Sequence, residues 1–338
     1  MTESLASAEP IVSTAETVDL AVVIVSWNVR EHLDRCLKSL RQALPAGSRT
    51  AETWVVDNAS SDQSVALVAE RYPQVHVWPL AENLGYVKAN NLALRALRDR
   101  ARYIWLLNPD TVVDAGAVQA LLDFLEAHPQ VGLVGPKLLN PDRTLQESAF
   151  RFPGLSQALF ALGLLPDRLY YTRLNGRYPR HLYDEQAPFP IDHPLGAAMM
   201  VRAKAVRDVG LLDEGFFMYC EEIDWAWRLR KAGWETYLVP RAEIVHVGGA
   251  SSRQVRPEAT AYLWESRARL YRKHQDALTA AVVGWAVRQV FARRRRDAET
   301  SAWAEAYDRI LCAWKAPRAR RGLRHGAESA GACDDRGV

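Results

Sequence analysis

Four places in this 338-residue chain gather side chains able to manage charge. Asn108-Pro109-Asp110 follows the apolar run 103–107, so a strand delivers a carboxylate to a sheet edge while Pro109 fixes the backbone direction. Asp110 can there ligate a divalent cation whose other ligands are diphosphate oxygens and water, although Pro-Asp is also an ordinary helix-start turn ahead of Val112. Asp57 closes the run 53–56, where it can accept hydrogen bonds from a base N–H or a ribose hydroxyl, or cap the next turn. Glu221, Glu222 and Asp224 open a helix, which suits the macrodipole by itself. The aromatic stretch 215–219 just before them offers the partial burial that lifts a carboxylate towards general-base duty. His246 follows a strand and precedes Gly248-Gly249-Ala250-Ser251, where it packs, completes a metal site with Asp110, or meets a phosphate.

These residues need a scaffold, and the hydrophobic pattern supplies one. The run 21–25 reads as a buried strand, and Leu33, Cys36, Leu37, Leu40 and Leu44 make one apolar stripe of a helix stopped by Pro45 and Gly47. The period repeats: strand 53–56 with a helix to about Arg71, strand 75–78 with a helix over 87–97, then strand 103–107. Such alternation predicts an α/β fold with a mainly parallel, doubly wound sheet, whose ligands bind outside the carboxyl ends of the strands. Ser26 to Asn28, Asp57 to Ser60, Asn83 to Tyr86 and Asn108 to Asp110 occupy those ends. Residues 150–190 read as a loop-rich insertion. Beyond it the pattern predicts a strand over 197–201, helices over 204–209 and 221–232, and strands over 237–239 and 244–247, then helices.

Composition narrows the function classes. Hydrophobic residues at 49% and charged residues at 25% are ordinary for a globular chain, and the net charge of +3 names no polyanionic partner. The charge is uneven, however: between Arg288 and Arg324 eleven Lys/Arg face four Asp/Glu. No nucleic-acid reader motif accompanies them, so nucleic acid is not expected as a partner. Neither G-x-G-x-x-G nor a P-loop occurs. Cys36, Cys220, Cys312 and Cys333 lack the spacing of a zinc ribbon or disulfide framework, which fits a reducing cytosol. No run reaches the length needed to span a bilayer, but the apolar stretch 277–287 followed by Arg293–Arg296 suits an amphipathic segment on an anionic membrane surface.

In order along the chain, VVIVSWN (22–28), VVDNASSD (55–62), ENLGYVKANN (82–91), LLNPD (106–110), GAAMMVR (196–202), GLLDEGFFMYCEEIDWAWRLRKAGW (210–234) and HVGGAS (246–251) resemble the inverting nucleotide-sugar glycosyltransferases of family 2, in their bacterial rhamnosyltransferase-like branch. The resemblance covers roughly 20–252. It implies a GT-A fold, a nucleotide-diphospho-sugar donor, Mg²⁺ or Mn²⁺, and one-step displacement with inversion. Matched residue by residue, it implies Glu222 as catalytic base, Asp110 and His246 at the metal, and donor contacts from Ser26, Asn28, Asp57, Asn83, Gly85, Asn91 and Asn108. Asn108 stands where the D-x-D pattern has its first acid, which leaves the metal resting on Asp110. Glu221, Asp224, Trp225 and Arg228 are expected to contact the acceptor or to support their helix.

The expected organisation is a disordered leader over 1–18, a glycosyltransferase domain over 19–252 with nucleotide-binding and acceptor halves meeting near 135, a basic helical extension over 253–325, and a disordered tail over 326–338. The expected activity is transfer of a sugar, rhamnose included, to a hydroxyl of a glycan or lipid-linked acceptor in cell-surface polysaccharide synthesis. The location would be cytoplasmic, with peripheral contact at the inner face of the membrane. A binding module that keeps the nucleotide-sugar pocket without turnover is the alternative.

Overall fold

The computed structural model describes residues 17–44 and 49–315, so most of the expected leader and all of the tail lie outside it. The first half repeats strand and helix as β1 (Val18–Ser26), α1 (Arg30–Ala43), β2 (Ala51–Asp57), α2 (Ser64–Arg71), β3 (His76–Pro79), α3 (Gly85–Leu97) and β4 (Ala101–Leu107). Strands β3, β2, β1 and β4 are neighbours in that order and run parallel. Residues along β1 alternate between the two faces, as a pleated strand requires. Leu20, Val22 and Ile24 join a core with Leu33, Leu37 and Leu40 of α1, while Ala21, Val23 and Val25 join one with Val87, Leu94 and Leu97 of α3. Helices therefore cover both sides of the sheet, and its carboxyl edge stays open.

The sheet continues through elements that the pattern reading left out or divided. Asp110 leads into a strand, β5 (Thr111–Val113), instead of a helix. Then come α4 (Ala117–Ala127), unassigned from sequence, and β6 (Val131–Leu139), buried on both faces except at Lys137, which pairs with Glu243. Between 140 and 195 the chain makes only short pieces, β7 (Leu145–Gln146), β8 (Ala149–Phe150), α5 (Leu155–Ala161), α6 (His181–Asp184), β9 (Phe189–Pro190) and β10 (His193–Pro194). Strand β11 (Ala198–Arg202) enters between β4 and β6 antiparallel to both, which makes the sheet mixed though mostly parallel. Helices α7 (Ala203–Val209) and α8 (Glu221–Lys231) follow.

The two strands expected over 237–239 and 244–247 are one strand, β12 (Glu235–His246). Its pairing with β6 slips between Val239 and Glu243, where Pro240 has no N–H to give to the ladder. The C-terminal helices are α9 (Arg256–His274), α10 (Ala277–Arg296) and α11 (Ser301–Ala313). Trp264, Val283, Val287, Phe291 and Ile310 pack there with Ala158 and Leu162 from the α5 region. None of the described helices is long and apolar enough to cross a membrane. Cys36 and Cys220 are free and buried.

Candidate active site

Asp110 and His246 meet because β5 and β12 pair with Thr111 opposite His246. Nε2 of His246 lies 3.4 Å from Oδ1 of Asp110, both residues buried. Gln146 sets the ring. Its amide donates to Asn140 Oδ1 at 3.0 Å and to the His246 carbonyl at 3.2 Å, so its Oε1, 2.7 Å from His246 Nδ1, must accept. A neutral imidazole donating from Nδ1 turns the Nε2 lone pair towards the Asp110 carboxylate. Two facing lone pairs are repulsive unless positive charge lies between them, so the pair suits a divalent cation completed by phosphate oxygens and water. When His246 is instead protonated and no cation lies between them, burial of the Asp110 carboxyl is outweighed by the hydrogen bond and charge of His246, which bring it below the usual carboxylate range. No group of three or more His, Cys, Asp or Glu suited to a metal occurs among the described residues.

Glu222 comes to the same edge from α8. The turn before that helix holds Tyr219 and Cys220 at φ 68° and 64°, consecutive non-glycine residues in the left-handed region. The turn directs the first helical residues towards β11. Carbon atoms of the Glu222 side chain lie 3.6 Å from the position a Cβ on Gly196 would take, and the next residue, Ala197, accepts a hydrogen bond from the Asn108 amide. Tyr86 bridges the remaining space: it donates to the Gly196 carbonyl, and its hydroxyl pKa is raised by burial and then by the charges of Glu221, Glu222 and Asp110. Tyr86 is thus within electrostatic reach of all three carboxylates. Glu222 is pushed up to about 7, chiefly by burial, and backbone hydrogen bonds and the charge of Arg267 oppose the rise. Glu221 is raised well above the carboxylate range by burial and by Glu222. Oε2 of each is buried without a hydrogen bond.

The β1–β2 side holds further unused polar atoms. Ser26 and Asp57 are register partners at the carboxyl edge, and Ser26 Oγ and Asp57 Oδ1 are both buried and unbonded. Asp57 Oδ2 accepts the Ser60 amide at 2.9 Å, so the turn-capping and ligand-binding readings of this residue coexist on its two oxygens. Asn28, at φ 52°, anchors Ser61 through Oδ1. Asn58 donates to Asn83 Oδ1 at 2.8 Å and accepts the Leu84 amide, a lock that sequence reasoning missed although Asn58 lies in the strand-end motif. Gly85 has to be glycine: its φ is +80°, and a Cβ would stand 2.6 Å from the Phe217 ring.

Other expected site residues prove structural. Both amide hydrogens of Asn91 are spent on Leu212 O and Glu214, which fixes the loop leading to Phe217 and leaves no donor for a ligand. Asp224 is fully buried among Arg228, Lys273 and His274, at 2.8, 2.7 and 2.7 Å, and although burial would raise its pKa these partners hold it low. Arg228 also donates to the Val209 and Leu211 carbonyls, and the Trp225 indole donates to Gly210. These three support the helix and do not reach the cleft.

Residues 21–210, more than half of the chain, match the family described as Glycosyl transferase family 2. The chain belongs to glycosyl transferase family 2. This family 2 glycosyltransferase is 32% identical over 244 residues to the N-acetylglucosaminyl-diphospho-decaprenol L-rhamnosyltransferase of Mycobacterium tuberculosis, covering 67% of this chain and 75% of that one. It is 29% identical over 217 residues to the low-salt glycan biosynthesis hexosyltransferase Agl10 of Haloferax volcanii, covering 63% and 62%. The crystal structure of GalNAc-T7 with UDP, GalNAc and Mn²⁺ shares its fold at a TM-score of 0.55 and 14% identity, over 88% of this chain and 54% of that one. The architecture is accordingly GT-A, and the activity is glycosyl transfer.

Proposed function

We propose that this glycosyltransferase moves a rhamnosyl or related hexosyl group from a nucleotide-diphospho-sugar to a hydroxyl of a lipid-linked glycan acceptor. The observations that support the reading are the 3.4 Å approach of Asp110 to His246 and the packing of Glu222 beside Gly196, whose neighbour Ala197 pairs with Asn108. Ser26 and Asp57 hold the nucleoside through their unbonded oxygens. Asp110 and His246 would hold Mg²⁺ or Mn²⁺. A cation bound there supplies the positive charge that a diphosphate leaving group needs. Glu222 accepts the acceptor hydroxyl proton as the oxygen bonds to the anomeric carbon. The bond from that carbon to the diphosphate breaks on the opposite face, releasing nucleoside diphosphate with inversion.

A lipid-linked acceptor fits the surface. Leu164, Tyr171 and Leu174 are exposed near α5, and Leu278, Val282 and Trp285 are exposed on α10, which packs beside α5. Exposed Arg168, Arg173 and Arg180 flank them, a combination suited to an anionic bilayer surface. The relative with the rhamnosyltransferase name takes a diphospho-decaprenol acceptor by that name. The test is incubation with a panel of nucleotide-sugars and N-acetylglucosaminyl-diphospho-lipid, with and without EDTA. A metal-dependent product of inverted anomeric configuration is expected. Retention of configuration, or full transfer in EDTA, would overturn the reading.

A further inference from the structure

Between α5, α8, α9, α10 and the Trp314 ring lies a cavity of about 90 Å³. Its walls are mainly apolar: Ala158 and Ala161 of α5, Ile223 of α8, Leu270 of α9 and Val283 of α10. Among the described residues, Arg267 of α9 is the only charged side chain lining it. Among the other basic residues of α9, Arg269 is engaged by Asp213, Lys273 by Asp213 and Asp224, and Arg272 donates to the Ala313 carbonyl, while Arg309 of α11 is engaged by Glu265. Arg267 has no carboxylate partner among the described residues; it stacks over the Trp264 ring with its guanidinium carbon 4.5 Å from the centroid. Stacking occupies the face of a guanidinium and leaves its N–H edge free to bind a phosphate through two bonds.

The position of this cation carries the inference. Cys220 and Ile223, on either side of Glu221 and Glu222 at the start of α8, line the cavity together with Arg267, and no hydrogen bond ties Arg267 to Glu222. On the other side, Ala161 is exposed at the cavity rim and Val283 adjoins exposed Val282, so the cavity opens towards the apolar surface of α5 and α10. The order is base, lone guanidinium, apolar cavity, apolar surface. We propose that Arg267 and this cavity bind the phosphate group and first hydrocarbon unit of a lipid phosphate or diphosphate acceptor. The inference rests on the lipid-linked reading above and gives that acceptor a subsite distinct from the metal and nucleotide.

Farnesyl diphosphate in EDTA is a suitable probe, because chelation removes metal-assisted binding at Asp110 and His246 and no turnover is needed. Titration followed by tryptophan fluorescence is expected to show saturable binding by the wild type. Arg267→Gln should weaken it more than tenfold, Arg267→Lys less, and Asp110→Ala not at all. Farnesol and inorganic diphosphate should each bind at least tenfold more weakly than the joined molecule. Ala161→Trp, at the exposed rim, tests the cavity separately and should weaken farnesyl diphosphate without affecting inorganic diphosphate. Equal binding by wild type and Arg267→Gln, or binding lost in Asp110→Ala, would overturn the subsite. Absence of sugar transfer alongside Arg267-dependent binding would instead count against the proposed reaction and leave the subsite standing.

Discussion

At the scale of single residues, the chemistry depends on one carboxylate being a base near neutral pH and another being kept as an anion. Glu222 sits at about 7 because burial penalises its charged form, while Asp110 stays below the usual range because His246 compensates its burial. A general base works deprotonated, so kcat should plateau above about pH 7 and fall roughly tenfold per pH unit below it. A flat profile down to pH 5 would remove Glu222 from that role. Gln146 acts one step away by orienting His246. Gln146→Leu is expected to weaken Mn²⁺ affinity about 10–100-fold, read by calorimetry with nucleoside diphosphate, while leaving the melting temperature nearly unchanged. The roles of Asp110, Glu222 and His246 were suggested by the sequence because each follows or opens a regular element. Gln146 was invisible there: it lies 100 residues from His246 and carries no motif.

At the scale of elements, the repeating strand and helix of the first half could be read directly, since buried β-branched runs and an apolar helix stripe have different periods. The second half was harder for identifiable reasons. Strand β5 has only three residues, too few for any period, and Pro240 makes the continuous β12 look like two strands. The sequence did show acids opening α8, but not that Asp224 is turned from the cleft to α9. There it joins the two helices through Arg228, Lys273 and His274. Asp224→Ala removes the buried counter-charge of Arg228 and Lys273 and the hydrogen-bond partner of His274 and should cost about 3–5 kcal/mol, read from denaturant unfolding. A loss below 1 kcal/mol would mean the helices are held by apolar packing alone.

At the scale of the whole molecule, a mixed sheet with one open edge gathers its chemistry from strands and helices distant in sequence, and the C-terminal helices add a wall and an apolar surface beside it. If that surface rests on lipid, Leu278→Glu with Trp285→Glu should reduce co-sedimentation with anionic liposomes at least tenfold and leave transfer to a short, water-soluble acceptor intact. Unchanged sedimentation, or a concentration-dependent dimer abolished by the same pair, would assign the face to something other than a membrane. The convergence of metal pair and base can be tested more directly than the surface. The decisive measurement is kcat of Glu222→Gln at saturating donor, with donor affinity measured on the same sample. Transfer slowed by at least 100-fold with donor affinity unchanged is the expected result; turnover within a few-fold of wild type would contradict it.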